Sequence, residues 1–177
     1  MRLPAEVRGI ATLRGVAGHR IDRHPWRAAI IEPPAMPAQT ILTIATHGPG
    51  LTDFTDRAAR FVAGNAGDGP AMLTLFVRHT SCSLTIQENA DPDVTRDLEA
   101  FLHRLVPPSD DPAMAYLTHT TEGPDDMPAH IKAALTATSL TVPVVEGRML
   151  LGTWQGVYLW EHRARGRRRE VVLHLSG

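Results

Sequence analysis

The run "AMLTLFVRH", from Ala71 to His79, constrains the fold more than any other segment. Its first seven residues are apolar except for one threonine, and a short run of this kind with aromatic and β-branched side chains is typical of a strand. Because both alternating sides of the run are apolar, we expect a central strand covered on both faces. Such a strand needs neighbouring strands and a covering layer.

Two segments carry the start and stop signals of the main helices. In "ADPDVTRDLEAFLHRLVP", Asp91 is the expected N-cap, Pro92 occupies the first turn, and apolar residues recur at helical spacing until Pro107. The second helix is predicted in "DDMPAHIKAAL", beginning at Asp125 or Asp126. A shorter helix is expected over about residues 54–64.

The remaining segments are typical of strands joined by turns. "TILTIATH" alternates near the start, and "SLTVPVVE", "MLLGTW", "GVYLWEH" and "EVVLHLS" close the chain as a predicted antiparallel meander. The basic run Arg163–Arg169 separates the last two segments; we interpret it as a solvated hairpin turn, with anion binding as the alternative. The sequence therefore predicts an α+β fold, a largely antiparallel sheet with two main helices packed on it.

The chain divides into an extension and one domain. Residues 1–38 carry scattered arginines and a proline-rich patch without periodicity or the pattern of a secretory signal, so they are predicted to be a flexible N-terminal extension. Residues 39–177 are predicted to form a single domain, for which a hydrophobic content of 43% is sufficient.

Composition narrows the classes of function. A formal net charge of −1 gives no basic field for nucleic acid, and no apolar run reaches the length of about 20 residues that spans a bilayer. The single cysteine, Cys82, excludes an intrachain disulfide and suits a reducing compartment. We therefore expect a cytoplasmic protein that binds neither nucleic acid nor membrane.

The stretch "YLTHTTEGPDDMPAHIK" gathers histidines and carboxylates around a glycine. Imidazole is a common metal ligand, which makes His119 and His130 candidates for a metal site; Glu122, Asp125 and Asp126 are candidate oxygen ligands or general bases. The two histidines are too far apart in sequence to pair on one helix, so the fold must bring them together. A capped helix with incidental histidines explains the same residues.

The end of the apolar run supplies a second group of candidates. His79 leaves the strand where functional side chains are commonly exposed, Thr80 and Ser81 add hydroxyls, and Asn89 precedes the first main helix. A structural histidine is the alternative. Cys82 lies three residues beyond His79, so the two do not share a strand face, and we interpret the thiol as core packing.

The third group lies in "GTWQGVYLWEHR". Glycine within a strand often marks the close approach of a ligand; here Trp154 offers a flat face and Gln155 an amide for a heteroaromatic ring. Glu161 shares its strand face with apolar residues, which makes it either desolvated and functional or located at a sheet edge. An aromatic strand facing an interface is the alternative. The chain has no GxSxG, Walker A, GxGxxG or CxxC motif.

Together, "HTSCSLTIQENADPD", "HTTEGPDDMPAHIK", "GRMLLGTWQGVYLWEHR" and the closing strand resemble the YjbQ-like family, also called secondary thiamine-phosphate synthase enzymes, from about Thr40 to Gly177. The resemblance implies an α+β domain that assembles as a homotrimer with pockets near subunit boundaries. It also implies a divalent metal, zinc or magnesium. Relatives commonly carry alanine at the position of Cys82, which argues against a catalytic thiol.

The activity named for that family joins hydroxymethylpyrimidine diphosphate to a thiazole phosphate and releases pyrophosphate. The resemblance gives His119 and His130 as metal ligands. The catalytic residues that follow are His79, Glu161 and Asp126. The substrate-binding residues that follow are Thr80, Ser81, Asn89, Trp154, Gln155 and Arg163. Alternatives are a side activity beside another metal-assisted transfer or hydrolysis, and a metal-binding trimer that holds a small molecule without turnover.

Overall fold

A computed structural model describes residues 37–177; residues 1–36 of the predicted extension lie outside the described residues. The strands are β1 (Ala38–Ala45), β2 (Gly50–Asp53), β3 (Ala71–Val77), β4 (Cys82–Glu88), β5 (Ser139–Val145), β6 (Arg148–Met149), β7 (Gln155–Glu161) and β8 (Arg168–Ser176). The helices are α1 (Thr55–Asn65), α2 (Pro92–Leu105) and α3 (Asp126–Leu135), with a 3-10 turn at Pro112–Met114. None of these helices is long and apolar enough to cross a bilayer.

The strands form two antiparallel sheets. The larger sheet has the order β1-β8-β3-β5-β6, and the smaller sheet has the order β2-β7-β4. One continuous hydrophobic core contains residues of both sheets and of α1, such as Leu75 and Leu173 from the larger sheet, Leu84 and Leu159 from the smaller, and Val62 from α1. The prediction of an α+β fold with antiparallel strands is confirmed.

The smaller sheet is buried on both of its faces. Residues 156–161 of β7 are all buried, although side chains alternate across a strand. Val157 and Leu159 enter the core, whereas Trp160 lies on the opposite face and donates from Nε1 to Oε2 of Glu99 on α2 at 2.6 Å. The smaller sheet thus lies between the larger sheet on one side and α2 and α3 on the other, whereas α1 packs into the core itself.

The central strand predicted to be covered on both faces is β3, and residues 37–177 cover only one of its faces. Leu73, Leu75 and Val77 are buried, but Met72 and Phe76 on the other face are 42% and 48% exposed. The apolar side chains on both faces predicted two covering layers, and the described part of the chain supplies one. Among the described residues no element covers the outer face of the larger sheet, on which apolar and polar side chains both lie.

The predicted C-terminal meander is wrong beyond its first hairpin. β5 and β6 pair as expected, but β7 belongs to the smaller sheet and β8 to the larger one, where β8 pairs with β1 from Ala38↔Leu175 to Ala45↔Arg168. The basic run is therefore a crossover between sheets and not a hairpin turn. Its first and last arginines, Arg163 and Arg169, turn inward, with side chains 12% and 7% exposed.

The two main helices begin where their local signals predict. Asp91 caps α2, and its Oδ1 accepts a hydrogen bond of 2.8 Å from the amide of Asp93. Asp125 occupies the N-cap position of α3 but makes no capping hydrogen bond, because its carboxylate is engaged by Arg163. α3 packs on β4, so its first turn lies beside the end of the smaller sheet.

Candidate functional site

The loop before α3 and the first two turns of α3 bring three side chains together. One ligand atom from each of His119, Asp126 and His130 lies within 4.8 Å of the other two. Nε2 of His119 is 2.8 Å from Oδ2 of Asp126, and Nε2 of His130 is 3.5 Å from the same oxygen. The sequence prediction of a shared site for the two histidines thus has a geometric basis, with the i,i+4 pair Asp126 and His130 on α3 as its centre. We call these three residues the triad.

The hydrogen bonds of His130 define its tautomer. Nδ1 of His130 lies 3.0 Å from the carbonyl oxygen of Thr80, and a carbonyl only accepts, so Nδ1 carries the proton. In the neutral ring Nε2 then turns a lone pair toward the Asp126 carboxylate. Two lone pairs repel unless a cation lies between them, and histidines that bind metals commonly fix their second nitrogen on a carbonyl in this way. The geometry suits a bound cation.

Arg163 holds the acidic side of the triad in place. Its Nη1 donates to Oδ1 of Asp126, its Nε donates to Oδ2 of Asp125 at 2.8 Å, and its Nη2 donates to the carbonyl of Glu122 at 3.1 Å. Asp126 is only 2% exposed, so an unpaired carboxylate there would be costly. All three nitrogen atoms of Arg163 are engaged, and its contacts are those of a side chain that orients Asp126.

A glycine shapes the loop that carries Glu122. Gly123 has a φ of 102°, which side chains rarely adopt, and its carbonyl accepts the amide of Asp126 at 3.3 Å. The turn delivers Asp125 and Asp126 to Arg163 from one side. A Cβ at Gly123 would also approach Oδ1 of Asp125 to 3.3 Å and would press on the carboxylate that Arg163 binds.

A pocket of about 590 Å³ opens beside the triad. It is lined by residues that include Phe76, Arg78, His79, Thr80, His130 and Ala134, and we call it the His79 pocket. His79 accepts a hydrogen bond of 2.8 Å at Nε2 from the amide of Glu170, which leaves Nδ1 as the protonated nitrogen. Burial lowers the pKa of His79, and the nearby Arg169 lowers it further, so the ring is neutral. His79 therefore presents a donor.

Arg78, which was not among the predicted site residues, lines the same pocket. Its Nη1 forms a salt bridge of 2.9 Å with Oε2 of Glu170, and both side chains are about half exposed, at 49% and 45%. A partly exposed arginine at a pocket is a ready anion contact. Arg78 immediately precedes His79 in "VRHTS", and this position next to a predicted site residue could have identified it.

Glu161 and Ser81, predicted as catalytic and substrate-binding residues, lie in a buried polar cluster outside the His79 pocket. Glu161 is 0% exposed, and its Oε2 accepts from Nε of Arg169 and from Oγ1 of Thr46, at 2.8 and 2.7 Å. Arg169 also donates to Oγ of Ser81 at 3.1 Å. Burial acts to raise the pKa of Glu161, but the hydrogen bonds from Arg169, the Arg163 amide and Thr46 outweigh it and hold the pKa below its usual range.

Cys82, interpreted as core packing, belongs to the hydrophobic core. Its side chain is 0% exposed, and burial raises the pKa of the thiol to about 12. A thiol of this kind stays protonated and unreactive at neutral pH.

The residues predicted to bind the heterocyclic ring lie elsewhere. Trp154 is 64% exposed, the side chain of Gln155 accepts the Gly152 amide at 2.8 Å, and the amide of Asn89 donates to the Trp154 carbonyl at 3.0 Å. This group sits at the start of β7, whereas Arg163 follows its end. A seven-residue strand spans about 20 Å, so one chain does not join the two groups.

The donor set of the triad has a definite chemical preference. Two imidazole nitrogens and one carboxylate oxygen match the three-ligand open sites that zinc occupies, whereas magnesium prefers oxygen ligands and several waters. Of the two metals expected from the sequence, the triad suits zinc better. The fold and the site together define an α+β protein of two antiparallel sheets with a His–Asp–His triad beside a pocket.

Comparisons with known proteins place this architecture in a family. The model of the family described as "UPF0047 protein YjbQ-like" matches residues 40–177. The chain therefore belongs to the YjbQ family, as the sequence motifs indicate. Membership accounts for the fold.

Relatives of the chain come from several bacteria. A UPF0047 protein of Synechocystis is 54% identical over 139 residues, which cover 78% of this chain and 91% of the relative. The UPF0047 protein YjbQ of Escherichia coli O157:H7 is 40% identical, with 78% and 97% covered. The crystal structure of a YjbQ/UPF0047 protein from Clostridium acetobutylicum is 33% identical with a TM-score of 0.65, covering 75% of this chain and 97% of that one.

Proposed function

We propose that the protein is a metal-dependent transferase of the secondary thiamine-phosphate synthase type, which joins hydroxymethylpyrimidine diphosphate to a thiazole phosphate. The single observation that carries the proposal is the triad, whose three ligand atoms lie within 4.8 Å of one another. In the reaction, the bond from the pyrimidine methylene carbon to the diphosphate oxygen breaks, and a bond to the thiazole nitrogen forms. Pyrophosphate departs with the electron pair.

The triad has the first task, which is to hold a divalent metal, with zinc as the best fit. When bound, the metal supplies positive charge for the diphosphate, where negative charge develops as it leaves. Arg163 donates to Oδ1 of Asp126, so that Oδ2 of the same carboxylate is the oxygen that would bind the metal. Thr80 fixes the ring of His130 through its carbonyl. Arg163 is therefore a positioning residue and not a phosphate contact.

The His79 pocket has the second task, which is to hold the substrates. Arg78 and the protonated Nδ1 of His79 offer donors for diphosphate oxygens, and the apolar walls formed by Phe76 and Ala134 suit a flat heterocycle. Asn89, Trp154 and Gln155 lie at the far end of β7, so their predicted role in ring binding requires another subunit. Glu161 and Ser81 support the site from the core in this proposal.

A homotrimer is part of the proposal, because the outer face of the larger sheet carries an exposed apolar row. Ile41 on β1 and Phe76 on β3 both lie opposite Val172 of β8, which makes one row across three strands. Ile41 and Phe76 are 47% and 48% exposed. Exposed apolar patches of this kind mark protein interfaces. Since Phe76 also lines the His79 pocket, subunit contact would close the pocket.

The test is metal content and turnover of the untagged full chain purified without chelator. The variant is His119→Ala/His130→Ala, and the matched control is His47→Ala/His103→Ala, which removes two exposed histidines outside the triad. We expect near-stoichiometric zinc in the wild-type protein and the control, and none in the variant. Formation of thiamine phosphate from the two substrates should follow the metal.

The outcomes separate the parts of the proposal. Metal without any turnover would overturn the transferase and leave a metal site, so that phosphorylated heterocycles would next be tested for hydrolysis. Metal retained by the His119→Ala/His130→Ala variant would overturn the triad as the site. Tight binding of the diphosphate without product would make the protein a small-molecule-binding trimer.

A further inference from the structure

Lys132 is the only lysine of the chain; all the other basic residues among its 18 are arginines. It lies on α3 and is only 5% exposed, so it is not an ordinary surface lysine. Arginine carries a wide, permanently charged fork, whereas lysine carries a compact ammonium on a flexible stem. In a chain that otherwise uses arginine, the single lysine is buried beside a small cavity.

The ammonium of Lys132 has no salt-bridge partner among residues 37–177. Glu99 is the one charged group that acts on its pKa, and it lies beyond salt-bridge distance. Glu99 already accepts from Nε1 of Trp160 at 2.6 Å. A buried charge without a counterion is strongly unfavourable, so such groups are normally paired. None of the described residues therefore supplies an anion that pairs directly with this ammonium.

A cavity of about 110 Å³ adjoins Lys132. We call it the Lys132 cavity; its lining includes Pro49, His103, Asp125, Pro128, Lys132 and His162. One water molecule takes up about 30 Å³ of liquid volume, so the cavity exceeds the needs of a single water. The carboxylate of Asp125 is held by Nε of Arg163 and by the Ala164 amide, so it is not a counterion for Lys132.

His162 provides an independent sign of a missing partner. It is 3% exposed, and its Nδ1 is the one buried side-chain nitrogen or oxygen without a hydrogen bond in the described part of the chain. Its Nε2 lies 2.9 Å from Oγ of Ser83. When the Ser83 hydroxyl donates to Nε2, Nδ1 carries the proton and is a donor. Buried polar atoms are nearly always paired, so the orphaned Nδ1 points to a ligand.

We propose that the Lys132 cavity binds one small oxyanion, a phosphate or carboxylate group, between the ammonium of Lys132 and Nδ1 of His162. The cavity lies on the opposite face of α3 from the triad. Along the helix, Asp126 and His130 are one turn apart on one face, and Pro128 and Lys132 are one turn apart on another. The anion would supply the counterion for Lys132 and the acceptor for His162. This site is separate from the proposed transferase pocket.

The test uses the single lysine as a probe. In full-length protein labelled with 13C-lysine, the side-chain NMR signal comes from Lys132 alone, and sodium phosphate, sodium acetate and sodium chloride are titrated at equal ionic strength. We expect a saturable shift with phosphate or acetate and none with chloride. Comparison of the two oxyanions tells whether the natural group is a phosphate or a carboxylate.

The control variants make the result decisive. His162→Phe should weaken oxyanion binding by about tenfold or more, because a hydrogen bond to a charged partner is lost, whereas His47→Ala should leave it unchanged. Shifts that do not saturate, or that are equal for chloride, would mean that the cavity holds water and would overturn the proposal. Loss of the shift in His119→Ala/His130→Ala would place the anion at the triad and would overturn it as well.

Discussion

Arg163 holds Oδ1 of Asp126, while Oδ2 of the same carboxylate faces Nε2 of His119 at 2.8 Å. The carboxylate thus has a structural oxygen and a second oxygen shared with the histidines. This division explains how a residue that is 2% exposed can still serve a site that opens to solvent. The arginine lowers the cost of burial, and the histidines stand at the exposed side.

Asp126→Asn should weaken zinc binding by at least about tenfold, because the amide keeps the shape of the side chain but removes the anionic ligand. The measurement is competition with a zinc indicator. Asp56→Asn, an exposed change in the first turn of α1, is the control and should bind zinc as the wild-type protein does. Equal affinity for the two variants would contradict the triad.

Arg163→Lys should lower zinc affinity by about 10- to 100-fold although Arg163 is not a ligand. A lysine has one ammonium and does not reach Asp125, Asp126 and the Glu122 carbonyl together, as the guanidinium does. Arg165→Lys, in the exposed part of the same segment, is the matched control. Zinc competition measures both variants, and unchanged affinity in Arg163→Lys would remove its positioning role.

Glu161→Gln should lower the free energy of unfolding by about 3–5 kcal/mol, because it leaves the buried Arg169 charge without its partner. Urea unfolding is the measurement. Glu146→Gln breaks a surface salt bridge, in which the side chain of Arg148 is 76% exposed and that of Glu146 is 65% exposed. This control should lower the free energy of unfolding by at most about 1 kcal/mol. A similar small loss in both variants would show that the buried pair is not important for stability.

His162 should make the protein less stable as pH falls. Burial and, second, the nearby Lys132 ammonium lower the pKa of His162 from 6.5 to about 4, so the unfolded chain binds a proton more readily than the folded one. The stability contributed by the neutral ring is complete above pH 6.5 and is lost as pH falls toward 4, by roughly 3 kcal/mol.

Urea unfolding of the wild-type protein and of His162→Phe, followed over that pH window, isolates this contribution. The variant lacks the titrating ring, so its unfolding free energy should decline less steeply with falling pH. Parallel curves for the two proteins would show that His162 titrates normally in the folded state.

Ile41→Asp should dissociate the proposed trimer, because it places a charge in the apolar row on the outer face of the larger sheet. Sedimentation equilibrium gives the mass in solution. Phe101→Asp on α2, where the native side chain is 55% exposed, is the matched control and should keep the wild-type mass. A wild-type monomer would overturn the oligomer outright.

Local signals in the sequence were sufficient for the helices and for the type of fold. Asp91 and Pro92 locate the start of α2 because capping depends on neighbouring residues alone. Strand pairing is different, because β8 pairs with β1 across more than 120 residues and nothing near Arg168 indicates this partner. The meander prediction failed for that reason: adjacency in sequence favoured β7, and the crossover at the basic run was not readable.

In the candidate site, too, some features could be predicted from the sequence and others depend on the tertiary fold. His119 and His130 were recognisable as residue types, and the i,i+4 spacing of Asp126 and His130 was readable from α3. The burial of Glu161 beside Arg169 and the separation of Trp154 from the triad depend on which sheet each strand joins. Those facts belong to the tertiary fold, so residue type alone did not give them.

α3 is a shared wall, with the triad on one side and the Lys132 cavity on the other. Each residue of a helix is rotated by about 100° from the one before, so one residue inserted between Asp126 and His130 would turn these two triad residues away from each other. The same insertion would turn Lys132 away from Asp125 and from the cavity that both residues line. Substitutions can alter either site alone, whereas a change in chain length within this part of α3 alters both, so the residue count of the helix is constrained by two sites at once.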